Sequence, residues 1–328
     1  MRAVLNQAPG EPDVLQPAEV TEPVATFGTV IVQVAAAGVN HADLLQRAGH
    51  YPPPPGAPPW PGLEVSGTVV SLGPERSGTT TPWHVGDQVC ALLTGGGYAE
   101  RVVVDAGLVL PVPDGVDLVD AAALPEATAT VMSNLEAAGA RRGQTLLVRG
   151  GSGGVGSIAV QTGVALGLRV LATAGGPERV ARVGEFCADS VFDHNNNTLV
   201  EAVLAATDGR GVDIILDVVG AAGLADNLAM LAVGGRLVVI GLQKGRRGTL
   251  DLGLLLTRRA SVIGTTLRSR PLPERVAIVA GVRENLWPLV AAGQVRPVVH
   301  ARLPLEQAAD AHRLLASGEV FGKVLLTC

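Results

Sequence analysis

The stretch Thr145–Gln161, TLLVRGGSGGVGSIAVQ, constrains this chain more than any other. Its apolar run Leu146–Val148 is short enough for a buried parallel strand. Gly150, Gly151, Gly153, Gly154 and Gly156 follow, then a helix-compatible apolar segment from Ile158 to Leu166 that Gly167 ends. Gly151, Gly153 and Gly156 satisfy G-x-G-x-x-G between a strand and a helix. Glycine is needed for the tight turn, for backbone approach to a pyrophosphate, and for close helix–strand packing. Gly154 and Val155 fall in the first turn of the helix, where free N–H groups face phosphate. The loop therefore predicts a dinucleotide site; a purely structural turn is the competing reading.

Periodicity divides the rest of the chain. Residues 1–118 read as short β-strands split by Gly- and Pro-rich turns, with a helix at His41–Gln46 and a stiff proline loop at Tyr51–Pro61. From residue 119 strand and helix signals alternate through Ser261–Thr265, the order of a doubly wound α/β domain with a parallel sheet. The tail predicts a helix over 274–291, a strand over 295–299 that Pro297 confines to an edge, a helix over 305–315 and a strand over 322–326. With 328 residues, two domains are expected.

Composition narrows the function classes. A net charge of −5 argues against nucleic acid as a partner. No apolar run reaches membrane-span length and MRAVLNQ lacks a signal-peptide pattern, so a soluble, cytoplasmic protein is expected. Cys90, Cys187 and Cys328 lie far apart, without metal or disulfide spacing. An NAD site places an acid at the end of the second strand of its α/β unit. Here that strand ends Leu171-Ala-Thr-Ala-Gly-Gly176, without one, and Arg179 just beyond either grips a 2′-phosphate or is a solvated helix residue. The expected cofactor is NADP(H).

Five segments resemble one family. Gly38–Gly56 is similar to its V-N-x-A-D…Y-P-P-P-G loop and Pro61–Gly67 to its P-G-x-E-x-x-G. Ala123–Thr130 is similar to its A-L-P-x-x-x-x-T hinge helix, and the glycine loop and Thr266–Arg270 match as well. The chain resembles the zinc-free quinone oxidoreductases of the medium-chain dehydrogenase/reductase superfamily, in the human-type NADPH quinone reductase branch. That resemblance implies a GroES-like β-barrel catalytic domain from 1–118 and 268–328, and a Rossmann domain at 119–267. It implies Asn40 and Tyr51 as catalytic groups that hydrogen-bond a substrate carbonyl. Turn-fixing by Asn40 and packing of Tyr51 on the prolines are the alternatives. On the cofactor side it implies Thr130, Thr173, Gly175, Arg179, His194 and Arg268, with His194 standing where the branch has Tyr and Gly176 where the family often has Ser.

Zinc-dependent relatives carry Cys and the His of G-H-E where this chain has Asn40 and Leu63, so no metal is expected; Glu64 and Asp43 read as structural. Without a Lewis acid, hydride delivery to an activated acceptor is favoured over alcohol oxidation. The expectation is an NADPH-dependent quinone reductase acting as a homodimer through the Ser261–Thr265 edge. Two alternatives stay open. One is an enoyl or alkenal reductase. The other is an NADPH-binding structural or RNA-binding crystallin-like protein, whose basic residues would include Lys244, Arg246, Arg247, Arg258 and Arg259.

Overall fold

The structure, a computed structural model, describes residues 1–74 and 81–328. They form two compact units, Met1–Ala129 with Leu267–Cys328, and Thr130–Thr266. In unit one, β1 (Arg2–Asn6) pairs antiparallel with β2 (Leu15–Glu19). The long β3 (Thr29–Val39) leads into α1 (His41–Arg47). Then come β4 (Glu64–Leu72), β5 (Gln88–Leu92), β6 (Arg101–Asp105) and β7 (Val109–Pro111). A 3-10 turn at Asp120–Ala123 precedes α2 (Pro125–Ala137), so the Ala-rich stretch breaks at the proline as its chemistry demands. The first passage between units lies inside α2, not at 118, because Ala122 and Ala123 bury with Ala36 and Leu325 in the core of unit one.

Unit two alternates strand and helix. β8 (Thr145–Val148), α3 (Gly154–Ala165), β9 (Arg169–Ala174), α4 (Pro177–Gly184), β10 (Ser190–Asp193) and α5 (Leu199–Ala206) form its first half. β11 (Val212–Asp217), α6 (Leu224–Met230), β12 (Leu231–Val239), α7 (Leu252–Arg258) and β13 (Ser261–Gly264) form the second. All strands are parallel, in the order β10-β9-β8-β11-β12-β13, the doubly wound arrangement. The order in which the chain adds strands reverses between β8 and β11. The core between sheet and helices is aliphatic: Leu147, Leu171, Val203, Ile215, Leu228 and Leu237 are all buried.

The chain returns to unit one with α8 (Leu272–Asn285) and α9 (Trp287–Ala291), where one helix over 274–291 is expected; Pro288 opens the second. β14 (Val299–Pro304), α10 (Ala308–Ala316) and β15 (Lys323–Thr327) complete it. The sheet runs β14-β15-β3-β4-β5-β7, with β6 also on β3. The tail strand falls at 299–304 and not at 295–299. It is an edge strand, but it begins only after Pro297, so that proline does not set its place. β5 likewise begins only after the turn at Gly86.

The glycine loop shows how little space the turn between β8 and α3 leaves. A methyl group on Gly156 would overlap the Gly150 carbonyl. Gly156→Ala must therefore shift backbone, at a cost of about 1–3 kcal/mol. Calorimetry should show a melting temperature lowered by several degrees, and an unchanged one would refute this packing.

Candidate active site

Unit one contains a buried network of charge. Asn40 ends β3 at the start of α1, and its backbone N–H donates to Asp43 Oδ2 at 2.8 Å. Gly62 N–H donates to Asp43 Oδ1 at 2.9 Å. Asp43 is fully buried; loss of water pushes its carboxyl up to about 6, opposed by these two donors and by Lys323 and Arg268. Glu64, at the start of β4, is equally buried. Its Oε1 accepts from Asn40 Nδ2 at 2.9 Å and forms an ion pair with Lys323 of β15, while Oε2 accepts from the Glu126 N–H at 2.9 Å. Lys323 Nζ also donates to Asn40 Oδ1 at 2.6 Å. Gly38 makes the room, since a methyl there would overlap Glu64 Oε1.

This placement revises the role expected for Asn40. Its amide is held at both ends, by Glu64 and by Lys323, and its remaining N–H lies 3.4 Å from the Gly38 carbonyl. It is a member of the charge network and is not poised to donate to a substrate carbonyl. Glu64 and Asp43 occupy the structural positions expected of them.

Above α1 sits the proline loop. Gln46 donates to the Pro59 carbonyl at 2.9 Å and accepts from Arg268 Nη2 at 2.7 Å. Arg268 Nε donates to the Thr94 carbonyl at 2.7 Å, and its guanidinium carbon lies 5.2 Å from the centroid of the Tyr51 ring. Arg268, expected at the cofactor, is instead buried under Tyr51, its nitrogens spent on unit one's own acceptors. Tyr51 is half-buried, and desolvation raises its phenol pKa against the pull of Arg268. Glu126 is half-buried in the first turn of α2; desolvation and then the Glu64 charge push it up to about 8.

The nucleotide-binding residues gather in unit two. Gly153 caps α3, and Gly154 and Val155 lie in its first turn, whose N–H groups have no intrahelical acceptor. A methyl group on Gly153 would find its nearest atom, the Gly150 carbonyl oxygen, at 3.6 Å, so the loop is open there, as a pyrophosphate cradle must be. Gly151 N–H donates to the Thr173 carbonyl at 2.7 Å and Gly150 N–H to the Thr173 hydroxyl at 3.1 Å. Thr173 is thus buried support for the loop. Gly175 lies against the His194 ring, and Gly176 N–H donates to Asp193 Oδ1 at 3.1 Å. Burial lowers the His194 pKa, and the charges of Lys244, Arg149 and Arg179 lower it further. The Asp193 carboxylate at the end of β10 opposes them, and no acidic side chain occupies the end of β9 itself. The residues present fit the phosphate groups of NADP(H). Thr130 stands half-buried on α2, its carbonyl accepting from Asn134 Nδ2 at 2.7 Å.

Sequence reasoning missed Lys323, Gln46, Glu126 and the link of Lys244 to His194. Lys323 is a lysine in an otherwise apolar strand, and that was its one available signal. Among the described residues, no three His, Cys, Asp or Glu side chains are placed to hold a metal ion.

Removing one partner of a buried ion pair strands the other charge, at about 3–5 kcal/mol. Lys323→Met should lose that much stability in denaturant unfolding, and the double variant Lys323→Met/Glu64→Gln should recover part of it. A single variant as stable as the parent would remove the pair from the interactions that hold unit one together.

Comparison with known proteins places these sites in a family. Residues 187–326 match the zinc-binding dehydrogenase family and residues 27–114 the alcohol dehydrogenase GroES-like domain. The quinone oxidoreductase of Rattus norvegicus is 33% identical over 332 residues, covering 99% of this chain and 97% of that protein. The phthioceranic/hydroxyphthioceranic acid synthase of Mycobacterium tuberculosis is 35% identical over 304 residues, covering 91% of this chain and 14% of the synthase. The quinone oxidoreductase from Thermus thermophilus, solved alone and in complex with NADPH, is 33% identical with a TM-score of 0.84, over 100% of both chains. Relatives that share a third of their residues span this chain almost end to end, and the chain belongs to the quinone oxidoreductases of the medium-chain dehydrogenase/reductase superfamily.

Proposed function

We propose that this protein is an NADPH-dependent quinone oxidoreductase that works without zinc. The observation that carries the cofactor assignment is the basic set Arg179, His194 and Lys244 with no acid at the end of β9. The substrate class rests on the full-length likeness to quinone oxidoreductases. NADPH, when bound, supplies the hydride. Gly151, Gly153, Gly154, Val155 and Gly156 receive the pyrophosphate on the first turn of α3. Arg179, His194 and Lys244 hold the 2′-phosphate; Thr173 and Gly175 shape the loop, and Thr130 lines the nicotinamide end. Tyr51 donates its O–H to the acceptor carbonyl, and its raised pKa keeps that proton in place at neutral pH. Asn40 acts through the network that fixes α1. Zinc independence follows from residue type, since Asn40 and Leu63 stand at ligand positions of the zinc enzymes. Reduction of a C=C bond conjugated to a carbonyl is the second reading, because it needs the same hydride delivery and the same hydrogen bond to a carbonyl oxygen. The unpaired thiols of Cys90, Cys187 and Cys328 suit the reducing cytoplasm.

Purified protein with no stoichiometric zinc should oxidise NADPH faster with ortho-quinones than with enones, and should not oxidise simple alcohols. A charge-assisted hydrogen bond contributes about 1.5–3 kcal/mol. Arg179→Ala should therefore lower kcat/KM for NADPH by about ten- to a hundredfold while leaving NADH nearly unaffected. A parent preference for NADH, or equal losses with both cofactors, would refute the phosphate assignment. Activity that depends on bound zinc would refute the metal-free mechanism.

We propose further that the protein is a homodimer through the edge of β13. That strand pairs only with β12, Val262 is 42% exposed, and Leu252 and Leu256 of α7 are 62% and 75% exposed. Open, apolar sheet edges invite a second copy, and a two-fold pair is the simplest cover. Light scattering at micromolar concentration should give twice the chain mass, and Val262→Lys with Leu256→Lys should halve it. A monomeric parent would overturn the assignment.

A further inference from the structure

Tyr51 opens the proline loop, and one buried residue holds its ring. Tyr51 is half-buried, and its hydroxyl has no hydrogen-bond partner among the described residues. The Arg268 guanidinium carbon lies 5.2 Å from the ring centroid, within the range of a cation–π contact. The guanidinium is itself clamped. Its Nε donates to the Thr94 carbonyl at 2.7 Å and its Nη2 to Gln46 Oε1 at 2.7 Å, while Nη1 lies 3.5 Å from the Tyr51 carbonyl oxygen. Gln46 Nε2 donates in turn to the Pro59 carbonyl at 2.9 Å, so α1 holds both the cation and the far end of the loop. The Tyr51 N–H donates to the Leu45 carbonyl at 3.2 Å, which ties the near end to the same helix.

This arrangement is costly for stability. Arg268 is 4% exposed, and among the described residues its hydrogen bonds go to neutral acceptors and none to a carboxylate. Asp43, the acid whose field acts on it most, spends its oxygens on the Asn40 and Gly62 N–H groups. A cation buried without a direct partner lowers stability, and a neutral side chain would fill the same space without that cost. What the guanidinium adds is a rigid plane, fixed by two short hydrogen bonds, and a positive charge against the face of the Tyr51 ring.

We propose that Arg268 is the positioning residue for Tyr51. Its clamped plane fixes the ring in one orientation, and its charge makes the hydroxyl a stronger donor to the acceptor oxygen that turns negative as hydride arrives. The inference rests on the proposed reductase activity and on the hydrogen bond from Tyr51 to the acceptor carbonyl. Arg268 touches neither acceptor nor cofactor, and no bond to hydrogen breaks at the phenol. The groups that act on the phenol agree with this role. Loss of water raises its pKa most, Arg268 pulls it back down, and the Glu126 carboxyl adds to the rise. Removing Arg268 leaves desolvation and Glu126 unopposed.

The chain has two tyrosines, which makes the phenol directly readable. Tyr98 is wholly buried, and loss of water pushes its pKa well above the ordinary phenol range. Tyrosinate absorbance in an alkaline titration of the folded protein therefore reports Tyr51. Arg268→Met should move that midpoint upward and lower kcat for quinone reduction by about tenfold. NADPH affinity, read by fluorescence, should be unchanged. Arg268→Lys retains the charge and loses the planar fork, so it should keep the midpoint near the parent's and still lower kcat. It also tests the idea where the methionine variant folds poorly. In a Tyr51→Phe background, Arg268→Met should cost little further kcat, because the two residues act as one unit. A parent-like kcat in both Arg268 variants, an unmoved midpoint in the methionine variant, or an undiminished loss in the Tyr51→Phe background would overturn the positioning role alone. So would a loss of NADPH affinity in place of kcat, which would return Arg268 to the cofactor. Full activity of Tyr51→Phe would remove the tyrosine's hydrogen bond from the reaction, and the role of Arg268 with it. A parent that oxidises NADPH with no quinone or enone would overturn the reductase reading itself.

Discussion

The buried pairing of Lys323 with Glu64 is the interaction on which unit one depends. Neither charge would be tolerated alone out of water. Together they satisfy Asn40 at both ends of its amide, leave Glu64 Oε2 to accept the first N–H of the Glu126 turn, and tie β15, β4, β3 and the start of α2 to one point. The same cation also acts on the neighbouring carboxyls. Asp43 and Glu126 both sit above the ordinary carboxylate range because desolvation outweighs the compensation that Lys323 and Arg268 supply.

Unit two solves a different problem with backbone alone. Its glycine loop is held by Thr173 beneath and by the absence of side chains above, so anion recognition there comes from N–H groups and from the open end of the sheet. Charge is present as well, in the buried Arg149 and Asp217 and in Lys244 and Arg179, whose fields act on His194. Unit one buries an ion pair to fix geometry, whereas unit two leaves the N–H groups at the start of α3 open.

Much of this was legible in the sequence. The strand–glycine–helix grammar of Thr145–Gln161, the alternation that follows and the missing acid at the end of β9 are local signals, and local signals survive in one dimension. What was not legible depends on partners far apart in sequence. Lys323 meets Glu64 across more than two hundred residues, so nothing near either residue announces the pair, and Asn40 reads as a free amide until its two partners are known. Arg268 reads as a cofactor-side residue for the same reason: its acceptors are Thr94 and Gln46. Glu126 is an ordinary helix-start acid in sequence, and only burial beside Glu64 changes its chemistry. The short α7 went unread because none of its residues is buried, which removes the periodic pattern that betrays a helix.

The discontinuity of unit one gives its folding an order. β15 pairs with β3, yet the whole of unit two lies between them in the chain. On a ribosome, the nascent chain completes every strand of unit two before Lys323 is made, and domains fold as units as they emerge. Until then Glu64, Asp43 and Glu126 lack the Lys323 ammonium that compensates them in the finished unit. The acids that end up hidden therefore begin as a hydrated, mutually repelling face on an unfinished barrel. That repulsion discourages premature closure and association, and the last strand converts it into the seal.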